Sequence, residues 1–414
     1  MISSSNRNNT FWFTLFVLIV LFKPTPTGIL GAEIGLKIPD LIFIFITSFF
    51  LILHKRYVIV DKVAIILFVF IVFDLISQIN GVLSGNDIII NDLVDLIIPI
   101  EVVLAYMAGV AFFRSGYRAL FNKKITIIIA AFVFFNYLMF FDLFAFKSLM
   151  SNFYEVGKSR GYSEENIRNI WRLASTFTNP NYFGLFCSLI TSLFFYFLTR
   201  KIETRSIVLF FVFLSFVVIS GSRTALISLV FSLSLILVLD VLSKGIKTKQ
   251  RVVFYSFLFL IVIFALPKVL LSASEFLWRF TNVDNMEESF GARLDAWGGA
   301  FKSIENYILI GVGSNKSELQ SVDSNYVLIL YKNGILGLFM ELSILIYISF
   351  VSFDLYLKKN ASEHPDASVG ILGCCSVIIL LVSMITSIPL SMSHIVVPFY
   401  LCFGYINENY NMSY

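Results

Sequence analysis

Val63–Phe73 reads VAIILFVFIVF, an unbroken apolar run, and Val252–Leu266 reads VVFYSFLFLIVIFAL, with a single serine inside it. Similar runs recur along all 414 residues, of which 58% are hydrophobic and only 14% are charged. A soluble domain carries about 25% charged residues. Because a bilayer core about 30 Å thick is crossed by roughly 20 helical residues, the sequence predicts an integral membrane protein.

The spacing of the apolar runs predicts an all-α fold, a bundle of about 12 transmembrane helices that forms a single polytopic domain over residues 1–414. The expected helices are 11–22, 38–53, 63–80, 93–113, 125–144, 181–199, 206–220, 223–242, 252–270, 326–353, 369–388 and 391–406. The seventh and eighth are separated only by Gly221 and Ser222, so one broken helix is an alternative. The first is interpreted as a retained helix, since no small-residue cleavage site follows it.

Lysine and arginine fall in alternate connections, which sets the orientation. With the N-terminus inside, the inner connections are basic throughout, whereas the outer connections 81–92 and 389–390 contain no basic residue. The pattern therefore predicts that both termini are cytoplasmic. Two longer segments then lie outside, a smaller loop at 145–180 and a large loop at 271–325.

The large outer loop is too long for a simple connection and retains several aromatic residues. We expect residues 292–306 to form a short helix in it. One face of that helix would carry Leu294, Trp297, Ala300, Phe301 and Ile304. This pattern predicts a structured cap on the outer face of the membrane.

Composition argues against several classes of function. The four cysteines lie inside apolar runs and are interpreted as core residues, and only three histidines occur, so no metal site or cofactor is expected. The net charge of +4 is modest and does not indicate a nucleic-acid partner. The sequence shows no internal repeat of the kind that favours a secondary transporter.

Arg223 is the most informative charged residue, since it lies in Ile219-Ser-Gly-Ser-Arg-Thr224 between two strongly apolar runs. An arginine at membrane depth is costly unless it is paired or faces a wet cavity. It could be a snorkelling arginine at a helix end. The alternative is a guanidinium that holds an anionic group, because arginine binds phosphate oxygens in a bidentate fork.

Other polar groups accompany it in or near the predicted outer loops. Arg172 precedes Asn179-Pro180-Asn181, a turn and helix start. Arg293 lies in Gly291–Trp297, and its alternative role is a loop salt bridge with Asp295 or Glu288. Glycines here and in Ile310–Gly313 would permit tight turns and close backbone approach.

Asp323 stands where the large loop re-enters the membrane, three residues before Tyr326 and ahead of Asn333-Gly334. It could cap the following helix or serve as a catalytic carboxylate. Further acids occur within the apolar runs, namely Asp74, Asp95, Glu101, Asp240 and Glu341. Most of these are interpreted as helix-end residues, with Glu341 the exception because it lies well inside a long helix.

Taken in order, four of these elements resemble the family of O-antigen polymerases (Wzy-type) and O-antigen ligases. The resemblance covers roughly residues 170–340 and the arrangement of spans. It is carried by Arg172…Asn-Pro-Asn, Ser-Gly-Ser-Arg223-Thr-Ala-Leu, Arg293…Trp297…Gly-Val-Gly313 and Asn-Tyr326…Asn-Gly-Ile-Leu-Gly337.

The resemblance implies an inverting, metal-independent glycosyltransferase at the periplasmic face of the bacterial inner membrane. Its donor would be an undecaprenyl-pyrophosphate-linked oligosaccharide held within membrane lipid, and a chain-length regulator protein is a further partner that it allows. It assigns Asp323 and Arg293 to catalysis and Arg172, Arg223, Asn181 and Tyr326 to substrate binding. Arginines would stabilise the leaving pyrophosphate, and a base would activate the attacking hydroxyl.

One departure from the family separates two activities. Ligases carry a histidine, the presumed base, three residues before the tyrosine of the re-entry motif, and here that position is Asp323. The substitution favours a polymerase, which joins carrier-linked repeats, over a ligase, which transfers glycan to the lipid A core. A lipid-linked oligosaccharide flippase is an alternative from another class, although flippases usually have short outer loops.

Overall fold

The computed structural model describes residues 2–24, 38–85, 96–116, 123–151, 153–154, 172–177, 179–201, 203–244, 283–314, 322–361 and 367–412. These ranges are helical and contain no strand. The α-helices within them are α1 (Ile2–Leu21), α2 (Ile38–Leu53), α3 (Lys62–Leu83), α4 (Ile97–Arg114), α5 (Lys123–Phe141), α6 (Phe146–Met150), α7 (Pro180–Arg200), α8 (Thr204–Ile219), α9 (Arg223–Lys244), α10 (Val283–Ser303), α11 (Asn325–Ala361), α12 (Ala367–Ser383) and α13 (Ser393–Asn411).

Every predicted apolar segment within the described ranges corresponds to one of these helices, and segment 252–270 lies outside them. Five of the described helices are long and apolar enough to cross a membrane, namely α3, α4, α7, α9 and α11. A sixth crossing is obtained if α5 and residues 143–150, which meet at a bend of 111°, form one broken span. Shorter apolar helices include α2, α8 and α12. The chain is therefore a helical membrane protein.

Helix α3 shows how the sequence produces a span with two different faces. Asp61 caps it by accepting a hydrogen bond of 2.8 Å from the Ala64 backbone N–H, which satisfies one of the unpaired donors at a helix start. Its 22 residues extend roughly 33 Å at 1.5 Å per residue. Phe68 and Val72 are exposed on one side, as expected of a lipid-facing surface, while Ser77 and Gln78 are buried on the other.

The chain divides into two compact units. Unit 1 comprises residues 1–155, 296–352 and 384–414, and unit 2 comprises residues 156–295 and 353–383. In unit 1, α4 and α13 cross closely because glycines meet at the crossing. A Cβ placed on Gly109 would lie 2.1 Å from the Leu401 carbonyl oxygen, and one on Gly404 would lie 2.0 Å from that of Tyr106. Small residues bring helices together within membranes in this way.

In each unit, polar side chains near the ends of the apolar helices bind one another. In unit 1, Tyr106 and Asn407 both donate hydrogen bonds to Asp61, at 2.6 and 2.8 Å. In unit 2, α7 packs against α8, α9 and α12, and Arg200 at its end pairs with Asp240 at 2.8 Å. These pairs satisfy charges that would be costly to leave alone in an apolar bundle.

The predicted loop helix begins earlier than expected. Helix α10 covers Val283–Ser303 rather than 292–306, so the expectation of a tight turn at Gly291 is wrong. Trp297, Ala300 and Ile304 pack into a hydrophobic cluster with Val312 and Tyr331. Two residues of the predicted face, Leu294 and Phe301, are instead 48% and 46% exposed.

Candidate functional site

The first part of the site is in unit 2, at the start of α7. Asn179 has extended backbone angles, and its side chain accepts a hydrogen bond of 2.8 Å from the Asn181 backbone N–H, with Pro180 at the first helical position. This is the local structure expected for Asn-Pro-Asn, because an asparagine cap and an N1 proline both favour helix initiation. The cap sets Asn181 in the first turn with its side-chain amide available to a neighbour.

Arg172 uses that amide. Its Nη2 donates to Asn181 Oδ1 at 2.7 Å, and its Nε donates to the Ser220 carbonyl oxygen at 2.8 Å. The guanidinium therefore joins the start of α7 to the turn after α8. Bonds to a charged donor are stronger than neutral ones, so this pair fixes the side chain in one orientation while it remains partly exposed.

The segment after Arg172 is strained. Ser175 begins a short 3-10 helix, Ser175–Phe177, with φ of 54°. A non-glycine residue in this left-handed region costs about 1–3 kcal/mol and persists only where surrounding structure enforces it. Residues 173–177 are fully buried, so the surrounding packing holds Ser175 in this conformation close to Arg172.

Arg223 begins α9 directly after the Ser220-Gly221-Ser222 turn. Gly221 has φ of 58°, which glycine adopts without steric cost, and Ser222 Oγ accepts from the Ala225 backbone N–H at 3.2 Å. Gly184 of α7 packs on this turn so tightly that a Cβ there would lie 2.6 Å from Ser220 Oγ. A compact polar turn thus connects the apolar helices α8 and α9, and Arg223 is the first residue after it.

The second part of the site is in unit 1, at the start of α11. Asp323 is exposed and Tyr326 is partly buried. The Ser324 carbonyl accepts the first helical hydrogen bond, from the Leu328 N–H at 2.9 Å. Ser324 therefore occupies the cap position, and the alternative interpretation of Asp323 as the helix cap is wrong because it lies one residue too early.

The start of α11 is anchored to the segment before α13. The Asn325 N–H donates to the Met384 carbonyl at 2.8 Å, and Asn325 Oδ1 accepts from the Leu390 N–H at 3.1 Å. Ser324 Oγ also donates to the Met384 carbonyl, at 3.1 Å. These bonds anchor the N-terminus of α11, and the exposed Asp323 lies directly before the anchored residues.

Helix α11 is broken at Gly334, where φ is 64° and ψ is −168°. The break leaves carbonyl groups of the preceding turn without helical partners, and residues 308–314 bind them. Val312 N–H donates to the Tyr331 carbonyl and Gly313 N–H to the Lys332 carbonyl, both at 3.0 Å. Gly311 and Gly313 also have positive φ, of 79° and 72°. The close backbone approach predicted for these glycines is confirmed.

Helix α3 completes this arrangement with polar side chains that were not among the predicted site residues. Asn80 Nδ2 donates to the Gly311 carbonyl at 2.7 Å, and Gln78 exchanges two hydrogen bonds with Ser314, at 2.8 and 3.1 Å. Ser77 Oγ contacts the Ile310 and Lys332 carbonyls. The detectable signal was that three polar residues, at positions i, i+1 and i+3, follow the apolar run Val63–Phe73 near the end of the predicted span 63–80.

Asp74 belongs to the same face. Its carboxylate accepts from Asn333 Nδ2 at 2.7 Å, directly before the break. The interpretation of Asp74 as a helix-end residue is wrong, since it is buried well inside α3. Glu341, expected to be an interior residue, is buried and accepts a hydrogen bond of 2.7 Å from Tyr400.

The structure thus brings some predicted site residues together within each unit. Arg172 contacts both Asn181 and the Ser220 carbonyl of the turn that precedes Arg223. Asp323 and Tyr326 share the start of α11. Arg293 lies on α10 with its side chain partly buried. That Arg223, Arg293 and Arg172 line one cavity remains a prediction.

The motifs are spread from the segment before α7 to α11, and comparison with known proteins agrees with the family that they resemble. Residues 207–342 match the O-antigen ligase family. The match begins in α8 and ends in α11, so it contains Arg223, Arg293, Asp323 and Tyr326, while Arg172 and Asn181 precede it. It supports the ligase/polymerase family, whose members are glycosyltransferase-like enzymes that act on lipid-linked polysaccharide, without separating the two activities. No curated protein matches the chain.

Proposed function

We propose that the chain is a surface-polysaccharide polymerase of the Wzy type. It would join oligosaccharide repeats carried on undecaprenyl pyrophosphate at the periplasmic face of the bacterial inner membrane. The observation that carries this proposal is the Arg172 bridge. It holds a guanidinium against the turn that precedes Arg223, between helices that are otherwise apolar. The family match over residues 207–342 supports the same chemistry.

In this proposal the arginines bind the donor pyrophosphate. The leaving group is multiply charged, and donors held in advance at the point where charge develops lower the barrier more than flexible ones. Arg172 is held by two hydrogen bonds and Arg223 by its position at a compact turn. Arginine suits the role because its fork matches pyrophosphate oxygens in two-point contacts. Arg293 would supply a third positive charge.

Asp323 would act on the acceptor. The acceptor hydroxyl oxygen attacks the anomeric carbon of the donor, the bond from that carbon to the pyrophosphate oxygen breaks, and the configuration inverts. The hydroxyl proton passes to the Asp323 carboxylate, and the carrier pyrophosphate leaves with the bonding electron pair. Asp323 is exposed at a helix start where a sugar can approach, and Tyr326 one turn later would contact that sugar.

The topology proposed for this function has about twelve spans with both termini in the cytoplasm. The basic residues of alternate connections support it. The pairing of residues within unit 2 is consistent with it, since Arg200 and Asp240, expected at the inner ends of α7 and α9, are in contact. Arg172 and Ser220, both expected at the outer side, are also in contact.

The second candidate is an O-antigen ligase, which the description of the matching family names. The acceptor distinguishes the two, since a ligase uses the lipid A core and a polymerase uses another carrier-linked repeat. In a deletion strain, loss of a polymerase leaves single repeats on the surface core, and loss of a ligase leaves bare core. A flippase defect would instead strand single repeats on the cytoplasmic carrier.

The proposal is tested by the lipopolysaccharide ladder of the deletion strain, with and without complementation. We expect core bearing one repeat, and a full ladder when the wild-type gene is restored. Complementation with Arg223→Ala, expressed at the wild-type level, should leave the single-repeat pattern. Bare core in the deletion strain would contradict the polymerase and support the ligase.

A further inference from the structure

Unit 1 contains a buried cluster of charged side chains that the proposed reaction does not use. Lys23, directly after α1, binds both Asp40 in the first turn of α2 and Ser393 at the start of α13. Glu101 of α4 lies beside them, with its Oε1 3.6 Å from Lys23 Nζ. All four are buried, and Glu101 is 0% exposed. We call these four residues the Lys23 cluster.

The charges of the Lys23 cluster do not balance if every group is ionised. One ammonium then faces two carboxylates, which leaves one negative charge in an apolar interior. An uncompensated buried charge costs several kcal/mol, and a carboxyl group relieves this cost by binding a proton. Asp40 contacts the ammonium directly, whereas the separation of Glu101 exceeds hydrogen-bond distance. Glu101 is therefore the group that gains most from protonation.

We propose that the Lys23 cluster is a proton-binding site, in which Lys23 and Asp40 form the ion pair and Glu101 holds one exchangeable proton. Lys23 and Ser393 also line a small cavity with His394, so the cluster borders that cavity at these two residues. When Glu101 releases its proton, the cluster gains one net negative charge.

The other titratable groups around the cluster do not replace Glu101 in this role. His394 faces the same cavity, and a second positive charge there would be repelled by the Lys23 ammonium. Tyr154 donates to the Phe22 carbonyl at 3.2 Å, and burial raises the pKa of Tyr154 to about 12, so it stays neutral near physiological pH. Both groups lie close to Lys23 in the structure, since Tyr154 binds the preceding residue and His394 follows Ser393.

The test is the infrared spectrum of the full-length protein, purified in detergent near neutral pH, in H₂O and D₂O. A protonated carboxylic acid gives a C=O band that is separate from carboxylate bands and shifts in D₂O. We expect Glu101→Gln to remove one such band. Glu408→Gln is the matched control, because Glu408 is a buried glutamate of unit 1 paired with Arg114 at 2.7 Å, and it should leave the acid bands unchanged.

Two further variants test the charge balance itself. Asp40→Asn leaves one ammonium and one carboxyl group, so Glu101 should ionise to pair with Lys23 and the band should vanish although Glu101 is present. Lys23→Met should add acid absorption, since neither carboxyl group then has a counter-ion. A wild-type acid region identical to that of Glu101→Gln, or an Asp40→Asn spectrum that keeps the band, would overturn the proposal. These variants also decide it if Glu101→Gln does not fold.

Discussion

At the scale of single residues, Arg172 is defined by two contacts that only a planar guanidinium can make together. Nε reaches a backbone carbonyl and Nη2 reaches a side-chain amide on another helix. A lysine keeps the charge and loses this two-point geometry. The role proposed for Arg172 therefore depends on shape as well as on charge.

Arg172→Lys should lower the polymerisation rate by about ten- to a hundredfold, since hydrogen bonds to charged groups contribute about 1.5–3 kcal/mol. Arg205→Lys is the matched control at an exposed position of unit 2 and should keep the wild-type rate. The rates are measured with purified protein and carrier-linked repeats.

The rate loss of the double variant Asn181→Ala/Arg172→Lys should be smaller than the two single losses combined, because both substitutions remove the same Arg172–Asn181 interaction. Full additivity of the losses would argue against the bridge.

Asp323→Asn should reduce the rate by about 10²–10⁴-fold, the usual cost of losing a general base. Asparagine has the same shape and cannot accept the proton. Because Ser324 holds the cap position and Asp323 is exposed, we expect the thermal unfolding midpoint to stay at the wild-type value. An active Asp323→Asn protein would remove the base role and leave orientation of the acceptor.

At the scale of elements, the break in α11 is the feature that most constrains the site. Tyr326 lies in the nine residues that precede Gly334, and this short helix is held by α3 and by residues 308–314. Its free carbonyls are satisfied by protein donors, which is the condition for irregular backbone at membrane depth. The start of α11 therefore depends on packing from three separate parts of unit 1.

Gly334→Ala should destabilise the protein by at least 1–3 kcal/mol, the approximate cost of a non-glycine residue with strained backbone angles. A Cβ at Gly334 would also lie 2.4 Å from the Leu309 backbone. Gly299→Ala is the control, because it lies in α10 with open space around it and should be stabilising by about 1 kcal/mol. Thermal unfolding in detergent measures both, and equal midpoints would contradict the broken helix.

Asp74→Ala should cost about 1–3 kcal/mol, since it leaves the buried Asn333 amide without its acceptor. Asp354→Ala removes an exposed i, i+4 ion pair with Lys358 and should cost only about 0.3–0.5 kcal/mol. The same unfolding assay separates them. If Asp74→Ala is as mild as Asp354→Ala, the α3 contact does not support the break.

The elements were predictable from the sequence to a greater degree than the site. Apolar runs located the described spans because membrane insertion depends on composition over roughly 20 residues. The Asn179 cap and the positive φ of Gly311 and Gly313 were also local properties. The Asp74–Asn333 contact was missed because it joins positions that are 259 residues apart in the chain, and no local pattern encodes such a pairing.

At the scale of the whole molecule, the account predicts which side of the membrane each segment faces. Ser303, at the end of α10, and Thr204, at the start of α8, are both exposed and are expected outside and inside, respectively. Each is changed to cysteine in a Cys402→Ser background, since Cys402 is the least buried of the four cysteines. An impermeant thiol reagent should label Ser303→Cys and not Thr204→Cys in intact spheroplasts. The reverse pattern would invert the topology.

The central claim is that one chain uses the same carrier-linked repeat as donor and as acceptor. The most direct measurement places the purified protein in liposomes with undecaprenyl-pyrophosphate-linked repeats as the only glycan and follows the products by mass. The account predicts carrier-linked oligomers that lengthen by whole repeats and free undecaprenyl pyrophosphate released in step with each addition. Unchanged single repeats, with transfer appearing only when lipid A core is supplied, would contradict it.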